Sequence, residues 1–167
     1  MIKINVAEIQ KKMVGEKSLR FDLTAQELEI APQELDILAP IALQGTMSNT
    51  GDVLLLQAVL QTTVKRMCGR CLKEFSADTR AEVIEKFYPV GTEQIEDDAF
   101  VYDSDVIDIT EPLRESLLLA EPIQALCKED CRGLCPVCGA DLNDGDCGCD
   151  RFTVDPRLAA LKQFIKH

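Results

Sequence analysis

Eight cysteines in four closely spaced pairs constrain this chain more than any other feature. They read Cys68-x2-Cys71, Cys127-x3-Cys131, Cys135-x2-Cys138 and Cys147-x-Cys149. Eight thiols make two tetrahedral sets of four, the closed geometry of structural zinc. A C-x2-C turn suits this because it points both sulfurs at one metal, and Gly139, directly after Cys138, lets backbone amides turn toward the thiolates. The expectation is two structural Zn2+ sites with all eight cysteines as ligands. Locality groups Cys135, Cys138, Cys147 and Cys149, which close a short loop at low entropic cost. Cys68, Cys71, Cys127 and Cys131 then form the other set, tying a hairpin tip to the segment after a helix. A competing arrangement puts Cys127, Cys131, Cys135 and Cys138 on one metal, and spacing alone has no decider between the two.

Other uses of the thiols fit less well. The N-terminus, MIKINVAEIQKKMVGEK, has no apolar signal core and no small-residue cleavage site. The longest apolar run, Val53–Leu56 with its extension Ala58–Leu60, is far too short to span a bilayer. Both points predict a soluble cytoplasmic protein, where disulfides rarely persist. A redox role for Cys68 and Cys71 lacks a thioredoxin-like βαβ context. Cys131-x3-Cys135-x2-Cys138 matches the iron–sulfur spacing of radical enzymes that use S-adenosylmethionine, but too little chain follows Cys138 to build their barrel.

The fold expected around these pairs is α+β: an antiparallel β-rich meander with flanking helices and a cysteine-rich C-terminal segment. The 46% apolar content is enough for a core. Asn49-Thr50-Gly51-Asp52 is a turn signal. From Val53 to Met67, Leu54, Leu56, Ala58, Leu60 and Val64 alternate with a mostly polar face, the pattern of a half-buried strand. A second strand runs from Phe75 to Tyr88, with Cys68-Gly-Arg-Cys71 at the hairpin turn between them. Leu19–Leu23 alternates weakly, and Thr24-Ala-Gln-Glu27 matches a helix-capping box. A helix is expected at about 110–121, with Thr110 as its cap and Leu113, Leu117 and Ala120 at helical spacing. A short terminal helix is expected from Pro156 to about Ile165. These readings divide the chain into a β-rich body, 1–122, that includes the hairpin tip, and a zinc-binding segment, 123–167. Within the latter, residues 123–155 hold six cysteines and few large apolar residues, and need a metal staple.

Charge restricts the partners. Against 18 bases stand 29 acids, a net charge of −11, so bulk attraction to nucleic acid is excluded. Two four-thiolate zinc sites would bring the total to roughly −15. RNA contact therefore requires a local basic patch, and Lys65, Arg66, Arg70 and Lys73 around the first cysteine pair are the candidates. They serve equally well as neutralisers of nearby thiolates; Lys128, Arg132 and Arg151 flank the other cysteines. Glu93, Glu96, Asp97, Asp98, Asp103, Asp105, Asp108 and Glu111 form an acidic strip with no intervening base. It reads as a solvated mobile loop, or as a docking strip for a basic partner.

No nucleotide-binding glycine pattern or H-E-x-x-H occurs, and the single histidine is the last residue, His167. Four thiolates per metal leave no open position for substrate water. A non-enzyme without a small-molecule substrate is the expectation.

Cys68-Gly-Arg-Cys71-Leu72 after a long strand, then Cys127 and Cys131-Arg-Gly-Leu-Cys135-Pro-Val-Cys138-Gly139-Ala-Asp141-Leu-Asn143, then Cys147-x-Cys149 and Asp155-Pro156-Arg157, resemble the YceD family, the large ribosomal RNA subunit accumulation proteins. The resemblance is specific from about 50 to 160. It implies a role in accumulation or processing of 23S ribosomal RNA and in large-subunit assembly, and it brings no catalytic residues. The partners it implies are pre-ribosomal large-subunit RNA or a basic ribosomal protein. In the second case the chain would act as an acidic adaptor or chaperone without touching RNA.

Overall fold

The structure, a computed structural model, describes residues 1–12, 15–93, 95, 99–151 and 157. The expected terminal helix from Pro156 to Ile165 and the acids Glu96, Asp97 and Asp98 lie outside the described residues.

The chain divides into two compact units, one of residues 1–66 and 75–123, the other of 67–74 and 124–167. In the first unit, strands β2 (Gly15–Leu23), β4 (Ile41–Asn49), β5 (Leu54–Met67), β6 (Glu74–Pro89) and β7 (Phe100–Tyr102) lie in the order β2-β4-β5-β6-β7, and β3 (Asp36–Ile37) also pairs with β5. The α+β class holds, with a mixed sheet. β2, β4 and β5 pair antiparallel, with Leu19 opposite Gly45 and Gly45 opposite Ala58.

The β4–β5 turn forms where the sequence signals it. Thr50 N–H donates to the Val53 carbonyl at 3.0 Å, and Gly51 takes φ +108°. β5 alternates as expected, with Leu54, Leu56, Ala58, Leu60 and Val64 buried and Gln57 and Gln61 exposed. Burying each such leucine stabilises the fold by roughly 1.5–3 kcal/mol. Gly45 fits because its neighbour strand crowds it: a Cβ there would stand 2.3 Å from the Gln57 carbonyl oxygen.

Two elements depart from the meander. β7 pairs with β6 in parallel, with Phe87 opposite Phe100 and their rings stacked at 5.4 Å. β8 (Val106–Asp108) pairs antiparallel with β1 (Lys3–Asn5) in a separate two-stranded sheet. Part of the acidic stretch read as a loop is therefore strand. Its apolar residues Phe100, Tyr102 and Ile107 join the core, and this burial outweighs the polarity of their neighbours. That core gathers residues of β1, β2, β4, β5, β6 and β8, the short helix α1 (Ala7–Gln10) and helix α2 (Thr110–Leu119), whose Leu113 and Leu117 are fully buried.

Two capping expectations come out differently. The Thr24–Glu27 box forms, Thr24 N–H donating to Glu27 Oε2 at 2.8 Å and Glu27 N–H to Thr24 Oγ1 at 3.3 Å. It closes turns rather than a helix: Glu29 adopts φ +56° and Pro32 follows. Thr110 lies inside α2 rather than capping it. Its hydroxyl accepts Ile2 N–H at 2.6 Å and donates to Asp108 Oδ1 at 2.6 Å, which anchors the N-terminal strand to the helix start.

Candidate metal centres

The second unit has little buried apolar material among its described residues. Among its described residues the buried apolar side chains are Cys68, Cys71, Cys131, Cys135 and Leu142. What it has instead is thiols in two groups. Cys68, Cys71, Cys127 and Cys131 form one, Cys135, Cys138, Cys147 and Cys149 the other, and within each all four sulfurs lie within 4.8 Å of one another. This is the grouping that loop length favours, and the competing set across Cys127–Cys138 is not formed.

Local backbone geometry aims the sulfurs. At the first group, Leu72 N–H donates to the Cys68 carbonyl at 2.9 Å, and Cys68 N–H to the Lys73 carbonyl at 2.9 Å. This tight turn holds Leu72 at φ +59°, a conformation most side chains avoid. Gly69 N–H reaches the Ala125 carbonyl at 2.8 Å and so brings the Cys127 segment alongside. At the second group, Gly139 N–H donates to the Cys135 carbonyl at 2.9 Å with Gly139 at φ +75°.

Spacing fits one metal per group. Cys68 Sγ lies 3.7 Å from Cys131 Sγ, and Cys71 Sγ 3.7 Å from Cys127 Sγ. Disulfide sulfurs sit about 2.05 Å apart, so these are not bonded pairs. Four thiolates each about 2.3 Å from a central zinc stand about 3.8 Å apart along the edges of a tetrahedron. Each group can hold a metal ion.

The proton balance points the same way. Backbone N–H groups of Cys71 and Cys127 lower the Cys68 thiol to about 6. Those of Cys138 and Val137 lower Cys135 to about 6. Burial, with the adjoining Cys71 thiol, pushes Cys127 up to about 12. The adjoining thiols of Cys138 and Cys147 push Cys149 up to about 12. Each group thus has one thiol readily ionised and at least one that resists. A dication resolves the conflict by taking all four as thiolates and releasing their protons.

The basic candidates are largely engaged. Arg66 donates to both oxygens of Glu121, from Nε at 2.8 Å and from Nη2 at 2.6 Å, and Nη2 also reaches Thr79 Oγ1 at 2.7 Å. Lys73 pairs with Asp141 Oδ2 at 2.7 Å and with Asp144 at 3.6 Å. Asp141, held chiefly by Lys73 and then by Asn143, is lowered to about 2. Arg70 is exposed, and its Nη1 donates to the Cys131 carbonyl at 2.8 Å. Lys65, half-buried opposite Asp36, also has a partner. Lys128 lies 4.0 Å from Asp130, and Arg151 contacts Asp146.

Sequence reasoning assigned no role to Glu121, Asp141 or Asn143. Asp141 and Asn143 entered only as members of the motif that carries the family resemblance. Glu121 carried no signal, because its partner lies 55 positions away.

Comparison with known proteins adds the remaining observation. The family described as "Large ribosomal RNA subunit accumulation protein YceD" matches residues 56–165, which span all eight cysteines. The chain belongs to the YceD family. A Bacillus subtilis relative of this YceD-family chain, named "Uncharacterized protein YlbN", is 28% identical over 164 residues, covering 94% of each chain. An uncharacterized Mycobacterium tuberculosis protein is 32% identical over 102 residues, 59% of this chain and 49% of its own length. An Arabidopsis thaliana protein, "Large ribosomal RNA subunit accumulation protein YCED homolog 1, chloroplastic", is 42% identical over 55 residues, 33% of this chain and 17% of its own. No solved structure matches. Among the described residues no helix is long and apolar enough to cross a membrane.

Proposed function

We propose that this chain is a non-catalytic cytoplasmic factor in the accumulation of 23S ribosomal RNA and in large-subunit assembly, with one structural zinc ion in each cysteine group. The family match across both groups carries this reading. The sulfur spacing supports zinc, and full thiolate coordination supports a scaffold over a hydrolytic centre, since a closed site gives water no position. A strain lacking the chain should show a lowered ratio of 23S to 16S ribosomal RNA. Wild-type chain should restore it, and a Cys68→Ser/Cys71→Ser chain should not. A normal ratio in the deleted strain would sink the proposal.

Arg70 is the best-placed of the four bases for a phosphate, since Arg66 and Lys73 are held by carboxylates. Arg70→Glu should lower co-sedimentation with pre-ribosomal particles.

One observation favours the adaptor reading, in which the chain holds a basic ribosomal protein. The acidic excess is large, 29 acids against 18 bases, and of the four bases around the first cysteine pair Arg66 and Lys73 are held by Glu121 and Asp141. Capture of a basic protein that survives nuclease and is lost at raised salt would select this reading.

A further inference from the structure

The connector between the two ligand pairs of the second cysteine group, residues 139–146, doubles as a wall of the first group. Leu134 and Asp141 form a β-bridge. Cys135 N–H donates to the Ala140 carbonyl at 2.8 Å, and Leu142 N–H to the Gly133 carbonyl at 2.9 Å. From this connector Asn143 reaches back. Its Nδ2 donates to Cys131 Sγ at 3.5 Å and to Asp141 Oδ1 at 2.7 Å, while its Oδ1 accepts Arg132 N–H at 3.0 Å. The carboxamide has one workable orientation, because a flip would set its oxygen against the Asp141 carboxylate and its NH2 against the Arg132 amide. Asp141 is fixed in turn: Oδ1 accepts Asn143 N–H at 2.9 Å, and buried Oδ2 meets the Lys73 ammonium at 2.7 Å.

We infer that Asn143 is a positioning residue of the Cys68/Cys71/Cys127/Cys131 site, held in place by the loop of the other site, so that the first site reaches full affinity only when the second is loaded. The inference rests on reading both groups as metal sites. An N–H···S bond drains charge from a thiolate, which helps four of them share one dication, and supporting bonds of this kind are worth about 10–100-fold in metal affinity. Delivery of that bond depends on order in the connector, where Leu142 is the one buried apolar residue among those described. Without a metal joining Cys135 and Cys138 to Cys147 and Cys149, the connector loses its closure and Asn143 its fixed place.

The test uses the full chain loaded with 113Cd as probe. Each site gives its own resonance, assigned through coupling to the ligand cysteine β-protons, and chelator competition reads each affinity. Asn143→Ala should move the first site's resonance and weaken that site roughly 10-fold or more, with the second site unmoved as an internal check on folding. Asn143→Asp keeps the shape but removes the donor, and should weaken it likewise. Cys147→Ser/Cys149→Ser should abolish the second resonance and weaken the first by a similar factor. An unmoved first resonance and an unchanged first-site affinity in these variants would overturn the inference and leave two metal sites standing. A wild-type chain that binds no cadmium at either group would overturn the metal reading with it.

Discussion

Arg66 and Glu121 form a two-pronged ion pair in which both charges are largely withdrawn from water, their side chains 13% and 24% exposed. Thr79 closes the arrangement, its hydroxyl accepting from Arg66 Nη2 at 2.7 Å and donating to Glu121 at 3.2 Å. A guanidinium held by two parallel bonds is committed to its carboxylate and serves the fold first. Arg66→Ala should therefore destabilise the protein by about 2 kcal/mol, because it strands a half-buried carboxylate. Urea unfolding of Arg66→Ala, Glu121→Ala and the double variant checks this. The double variant should lie above the sum of the singles in stability.

Metal removal should act locally. Among the described residues, the second unit's buried apolar side chains are four cysteines and Leu142, whereas the first unit has a continuous aliphatic core. Chelation should expose the amides of Cys135 and Leu142, which bond to Ala140 and Gly133. Those of Leu56 and Leu60 in β5 should keep their protection. Hydrogen exchange with and without chelator reads both sets in one experiment.

Asp108 gives a pH dependence with a definite sign. Burial raises its carboxyl, but the Thr110 hydroxyl and amide outweigh this, and the pKa falls below its ordinary value. A depressed acid adds stability above its unfolded-state pKa and loses it as pH drops through the folded value. Asp108→Ala should cost about 1 kcal/mol at neutral pH. The deficit should shrink toward zero below the ordinary carboxylate range, in unfolding curves taken from neutral to acid.

Gly45 should tolerate no side chain. A Cβ would sit 2.3 Å from the Gln57 carbonyl oxygen and 2.5 Å from Ala58 Cβ, both in the neighbouring strand. Gly45→Ala should cost roughly 2–3 kcal/mol, measured by denaturant unfolding.

The sequence by itself determined the features that repeat over short distances. Period-two alternation marked β5, Thr50 and Gly51 marked the turn before it, and cysteine spacing marked two sets of ligands, since each is a property of a few consecutive residues. Tertiary structure decided what distant segments do to one another. It brought β1 to β8, set β7 parallel to β6, and chose between the two cysteine groupings that spacing left open. It also gave Arg66 to Glu121 and set Asn143 against Cys131. Such pairings bring together residues far apart in the chain, at an entropic cost that packing and hydrogen bonding repay only in the folded state, so no local pattern announces them.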